Sequence, residues 1–133
     1  MNERIKVLVA DDNREFAATL VKYLSKEDDL EVVEVARDGN EAYEKIVDTN
    51  PDIVLLDIIM PHLDGLGVLE KLNDTPMSKK PMCIILSAVG QDKITQKAIS
   101  LGAQYYIVKP FDIDVLVKRI KELKYFQPAQ NKN

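Results

Sequence analysis

Five short apolar runs recur along the chain. Each gives way to a polar break and then to a longer stretch whose apolar positions return every three or four residues. The runs are Ile5–Ala10, Leu30–Ala36, Ile53–Leu56, Met82–Leu86 and Tyr105–Val108. They are too short for helices and rich in β-branched residues, so they read as strands. Ile53–Leu56 is apolar without interruption, as a central strand buried on both faces of a parallel sheet must be. The longer stretches predict five helices. The first spans about Arg14–Lys26, with Phe16, Leu20 and Leu24 in one stripe beside Ala17 and Val21. The second spans about Glu41–Asp48, with Ala42, Tyr43, Ile46 and Val47 inward, and stops at Asn50-Pro51. The third covers about Leu66–Asn73, after a loop from Met60 that ends in an Asp64-Gly65 turn. The fourth begins at Gln91-Asp92, carries Ile94, Ala98 and Leu101, and ends at Gly102. The fifth follows Asp112 as its cap, with Ile113, Leu116, Val117, Ile120 and Leu123 inward.

Strand-then-helix units in alternation predict one α/β domain, a three-layer, doubly wound (βα)5 parallel sheet. Right-handed crossovers leave few topologies. The expected strand order is 2-1-3-4-5, which sets strands one and three side by side at the switch point where such sheets bind ligands. Tyr125–Asn133 has no apolar period and reads as a frayed tail or the start of a linker.

Composition narrows the classes. A chain of 133 residues makes one domain and can bury a core without a staple. Its lone cysteine, Cys83, rules out an internal disulfide and sits in an apolar run as a buried thiol would, which suits a reduced, cytoplasmic setting. No apolar stretch approaches the roughly 20 residues of a membrane span, and the charged start reads directly into a strand, with no signal peptide. A net charge of −4 argues against this domain gripping nucleic acid by itself.

The candidate chemistry lies where strands stop. Asp11 and Asp12 follow the first strand, Asp57 the third, Ser87 the fourth and Lys109 the fifth. In a parallel sheet all these ends share one edge, so the five side chains can converge. Singly, each has an ordinary explanation: a helix cap for Asp11-Asp12-Asn13, a turn for Asp57 or Ser87, a surface position for Lys109. Together they describe a site with a problem. Two carboxylates about 4 Å apart repel by roughly 4 kcal/mol at an effective dielectric of ~20. Lys109 offsets one charge, and a hard divalent cation would offset more. Magnesium suits such oxygen ligands, with Asp12 and Asp57 as side-chain ligands, Asp11 in support and the Ile59 backbone carbonyl as a further oxygen. A phosphoryl group is then welcome, Asp57 can act as its nucleophile, and Lys109 and Ser87 can hold its oxygens.

These residues resemble the response-regulator receiver domain of two-component signalling. Asp11-Asp12, Asp57, Met60-Pro61, Asp64-Gly65, Ser87-Ala88, Gly102-Ala103 and Lys109-Pro110-Phe111 fall in that family's order, over about residues 4–124. The resemblance implies a flavodoxin-like receiver whose Asp57 accepts a phosphoryl group from a phosphohistidine, on a histidine kinase or a phosphotransfer protein. It implies Mg2+ (with other divalent cations able to substitute), a cis Lys109–Pro110 bond, and a switch made of Ser87 and Tyr106. The readout would be the face of helix four, strand five and helix five, with a homodimer formed on phosphorylation. The runs Val9–Glu15, Leu56–Leu66 and Lys109–Asp112 look most like the receivers of sporulation regulators in endospore-forming bacteria. That likeness implies DNA contact only through a C-terminal effector domain absent here, with residues 125–133 as the linker's start.

Two rivals share the topology. A phosphatase with an aspartyl nucleophile wants a second carboxylate two residues on, where Ile59 stands. A flavin module wants Ser, Thr and Gly after strand one, where Asp11-Asp12-Asn13 stands. The expected activity is therefore self-catalysed phosphoryl transfer with slow autodephosphorylation, because neither Ile59 nor Val89 can position a water. The sole histidine, His62, is assigned no catalysis.

Overall fold

The computed structural model describes residues 3–125. Its elements are β1 (Ile5–Ala10), α1 (Arg14–Leu24), β2 (Leu30–Ala36), α2 (Gly39–Thr49), β3 (Ile53–Asp57), α3 (Gly65–Asp74), β4 (Met82–Ala88), α4 (Asp92–Ser100), β5 (Tyr105–Lys109) and α5 (Ile113–Tyr125). The five strands form one sheet in the order β2-β1-β3-β4-β5, and every neighbouring pair is parallel. The expected architecture and strand order are the ones found.

The alternation of side chains along each strand divides the core in two. Leu8, Ala10, Val54, Leu56, Cys83 and Ile85 face α2, α3 and α4, and pack on Ala42, Ile46, Val68, Leu69, Leu72 and Ala98. Val7, Val9, Ile53, Leu55, Ile84 and Leu86 face α1 and α5, and pack on Ala17, Leu20, Leu24, Leu116 and Ile120. Covered on both faces, β3, β4 and the part of β1 beyond the exposed Lys6 can carry no polar residue until they near the sheet edge. That is why their apolar runs are unbroken and why the first polar side chains appear at their carboxyl ends. Cys83 lies in this interior, and burial pushes its thiol up to about 12, so it is an inert packing group.

Several boundaries and orientations differ from the sequence expectation. α1 stops at Leu24, because the Lys26 N–H turns back to the Tyr23 carbonyl in a tighter closing turn. α2 starts at Gly39, because Asp38 caps it by accepting from the Glu41 N–H at 2.8 Å. Asp64 is likewise a cap for α3 and accepts from the Gly67 N–H at 2.9 Å, so Gly65 opens a helix and does not close a turn. Val47 is exposed, one step round the helix from the buried Ile46. Ile94 is also exposed. The inward place on α4 goes to Thr95, whose hydroxyl is satisfied by donating to the Gln91 carbonyl at 2.7 Å. Tyr125, expected to begin the tail, is the last residue of α5, and the rest of that tail lies outside the described residues. Among the described residues no helix is long and apolar enough to cross a membrane.

Candidate functional site

Capping decides which of the three polar residues after β1 are free for chemistry. Asn13 adopts extended backbone and its side chain accepts from the Phe16 N–H at 3.0 Å, so Asn13 is the cap of α1. Asp11 and Asp12 are thereby released. Asp11 is wholly buried. Its Oδ1 accepts from the Asn13 N–H at 2.9 Å, and its Oδ2 accepts from Lys109 Nζ at 3.0 Å. Asp12 is exposed at the mouth of the site.

Asp57 is the last residue of β3, in register with Leu86 of β4. Its Oδ2 lies 3.6 Å from Lys109 Nζ, with its side chain only 13% exposed. Its Oδ1 accepts a long hydrogen bond, 3.4 Å, from the Ile59 N–H. Oxygens of Asp11, Asp12 and Asp57 all lie within 4.8 Å of one another. Burial, then the neighbouring Asp11 charge, push the Asp57 carboxyl up to about 6, although Lys109 and the Ile59 N–H pull the other way. Three carboxylates face one ammonium. The donor set is all oxygen, negative in excess, and open on the Asp12 side. Those properties fit a hard divalent cation such as magnesium, for which Asp11, Asp12 and Asp57 are the residues that would hold it.

Lys109 is the last residue of β5 and pairs across to Ala88. The Lys109–Pro110 peptide bond is cis. Lys109 Nζ sits 4.3 Å from the ring centroid of Phe16, and Phe16 meets Phe111 edge-to-face at 5.8 Å. The Phe16 ring adds cation–π attraction to the ion pairs of Lys109, and Phe111 backs Phe16 in turn. Sequence reasoning assigned Phe16 only to the core and gave Phe111 no task of its own. The available signal was the position of Phe111 directly after Lys109-Pro110.

The remaining expected residues do not all join this cluster. Ser87 is buried on β4, one residue beyond the partner of Asp57, and lies opposite Val108. With Thr95, Tyr106 and Val108 it lines a separate cavity of about 310 Å³. Tyr106 stands outside the carboxylate cluster. It is 46% exposed and stacks on Tyr105 with centroids 6.1 Å apart, so it is not a core residue. Ile59 and Val89 are both exposed, at 48% and 81%. His62 is exposed on the loop after β3, at positive φ.

The sequence profile of the response regulator receiver domain matches residues 7–121. The structure is similar to the response regulator domain of Thermotoga maritima CheB, at 28% identity and a TM-score of 0.84, over 95% of this chain and 100% of that one. It is similar to the receiver domain of Francisella response regulator 1452, at 32% identity and 0.82, over 94% and 100%. It is also similar to a LuxR-family DNA-binding response regulator from Staphylococcus aureus, at 25% identity and 0.82, over 90% and 98%.

Proposed function

The chain belongs to the response regulator receiver family, and from that premise we propose that it is a phosphoacceptor switch whose acceptor is Asp57. Receivers of this family are signalling domains that work with histidine kinases. Here a carboxylate oxygen of Asp57 attacks the phosphorus of a phosphohistidine, on a kinase or on a phosphotransfer protein. The P–O bond forms as the P–N bond breaks, and the imidazole leaves with a proton. A bound Mg2+, or another divalent cation, supplies charge compensation for the phosphoryl oxygens, which three bare carboxylates would otherwise repel. Lys109 then moves its attraction from Asp57 towards the new phosphoryl oxygens without leaving Asp11. Ser87, one residue past Asp57's strand partner, is the hydroxyl that donates to them. The single observation carrying this reading is Lys109 Nζ held 3.0 Å from Asp11 and 3.6 Å from Asp57.

The switch readout follows from the exposed face. Ile94, Ile99, Tyr106, Val108 and Val115 are all apolar and all exposed on α4, β5 and α5. Phosphorylation draws Ser87 towards the site and lets Tyr106 turn into the cavity beside it, which remodels this face and promotes a homodimer. Residues 4–125 act as the receiver, with α5 running to Tyr125, and 126–133 as the start of a linker to a DNA-binding domain. The similar Staphylococcus aureus protein is described as a DNA-binding response regulator. The matched runs around Asp11, Asp57 and Lys109 favour a cytoplasmic regulator of sporulation transcription, this domain itself contacting neither DNA nor membrane. Neither Ile59 nor Val89 has a polar side chain to position a water, so the acyl phosphate hydrolyses slowly.

Incubation with a small phosphodonor and Mg2+, followed by intact mass, tests the central step. Wild type gains one phosphoryl group, and Asp57→Asn or excess chelator abolishes the gain. Labelling of Asp57→Asn to the wild-type extent would refute it.

A further inference from the structure

The loop from β3 to α3 carries Ile59 beside Asp57, and three glycines shape it. Gly65 donates to the Ile58 carbonyl at 2.9 Å, and a Cβ at Gly65 would stand 2.9 Å from the Asp57 carbonyl oxygen. A Cβ at Gly67 would overlap Leu63 Cδ1 and stand 2.9 Å from Leu63 Cγ. The third glycine comes from another element. A Cβ at Gly39, the first residue of α2, would overlap the Leu63 carbonyl oxygen and stand 2.5 Å from its carbonyl carbon. Gly39 does not have a positive φ, so it is glycine for want of room and not for backbone freedom.

The loop needs such a hold. The Leu63 N–H returns to the Pro61 carbonyl at 2.7 Å, across His62 with φ +69°. A three-residue turn centred on a side-chain-bearing residue at positive φ is strained, and strain persists only where the surroundings impose it. Ile58 and Met60 are buried on either side of the exposed Ile59, so displacement of Leu63 is passed along a short, anchored segment towards Asp57.

We propose that the seat which Gly39 and Gly67 form for Leu63 is a positioning device for the phosphoacceptor loop. α2, which contributes no side chain to the carboxylate cluster, thereby sets where Ile59 stands beside the metal-binding oxygens. This rests on the phosphoacceptor reading above. Mutation of the outer groups that orient a metal site's ligands typically costs roughly 10–100-fold in affinity.

The test is Mn2+ binding followed by electron paramagnetic resonance, on folded protein and without any phosphodonor. Gly39→Ala and Gly67→Ala each weaken Mn2+ binding roughly tenfold. Leu63→Ala placed on Gly67→Ala removes the overlapping atoms and restores it. Asn50→Ala, at the far end of α2 where φ is +50°, lowers the melting temperature but leaves Mn2+ affinity unchanged. Should Gly39→Ala not fold, Gly67→Ala and its rescue decide the matter. Wild-type affinity in both glycine variants, or equal losses in Asn50→Ala, overturns the positioning role. Failure of wild type to bind Mn2+ at all would instead overturn the phosphoacceptor reading, and this inference with it.

Discussion

Replacing Asp57 with Asn should make the metal-free protein more stable, although it removes an ion pair. At an effective dielectric of ~20, attraction between Asp57 and Lys109 at 3.6 Å amounts to about 4.6 kcal/mol. Repulsion from Asp11, with oxygens within 4.8 Å, amounts to about 3.5 kcal/mol or more. These nearly offset, so burial of the charge is what remains. The carboxyl is pushed from 3.8 up to about 6. At about 1.4 kcal/mol per unit, the ionised form is disfavoured in the fold by about 3 kcal/mol at most. Solvent reaches the site past Asp12 and screens part of that, leaving about 1–3 kcal/mol. Asn keeps the shape of the neutral acid, and Lys109 keeps Asp11 at 3.0 Å. For a domain of this size the gain is roughly 4–10 °C in melting temperature. The assay is thermal unfolding by circular dichroism in chelator at pH 8. The sign with pH follows from the raised value. The folded state takes up the proton first, so the gap is full above about 6 and closes as pH falls towards 3.8. Millimolar Mg2+ should narrow the gap from the other side, by stabilising wild type alone. Should Asp57→Asn melt at or below wild type in chelator at pH 8, the electrostatic account of this site is wrong.

Lys109→Ala strands the buried Asp11 charge and should destabilise the metal-free domain by about 3 kcal/mol, measured by urea unfolding, with Mg2+ recovering part of the loss. Asn13→Ala removes the cap of α1 and should cost about 1 kcal/mol while leaving phosphoryl uptake intact, since the cap and the site use different side chains. Asp52→Ala, at the opposite edge of the sheet, should cost about 1–2 kcal/mol, because Asp52 accepts from the Lys6 N–H at 2.8 Å and from Lys79 at 2.6 Å. Burial raises the Asp52 carboxyl, but bonds from Lys79, the Lys6 N–H and Lys124 outweigh it and leave it below 3.8. That contribution is therefore present above 3.8 and lost as pH falls through the lower folded value, so acid unfolding of the two proteins should converge there.

Much of this protein can be read along the chain. A strand covered on both faces has to be apolar throughout, so Ile53–Leu56 announces a central parallel strand, and alternation with helices then leaves few sheet orders. Chemistry can enter such a sheet only where its strands end, which is why Asp11, Asp57, Ser87 and Lys109 stand out before any coordinate is known. Helix faces were less legible. Neighbouring positions differ by about 100°, so adjacent residues point in different directions, and in α2 and α4 Ile46 and Thr95 went in while Val47 and Ile94 stayed out. Three features could be settled only by the fold: the release of Asp11 by the Asn13 cap, the Phe16 ring over Lys109 with Phe111 behind it, and the contact of Gly39 with Leu63. Each depends on how groups meet in space, and in the last two on segments far apart in the chain. Periodicity reports which face of an element is apolar, but not which atoms of another element will press against it.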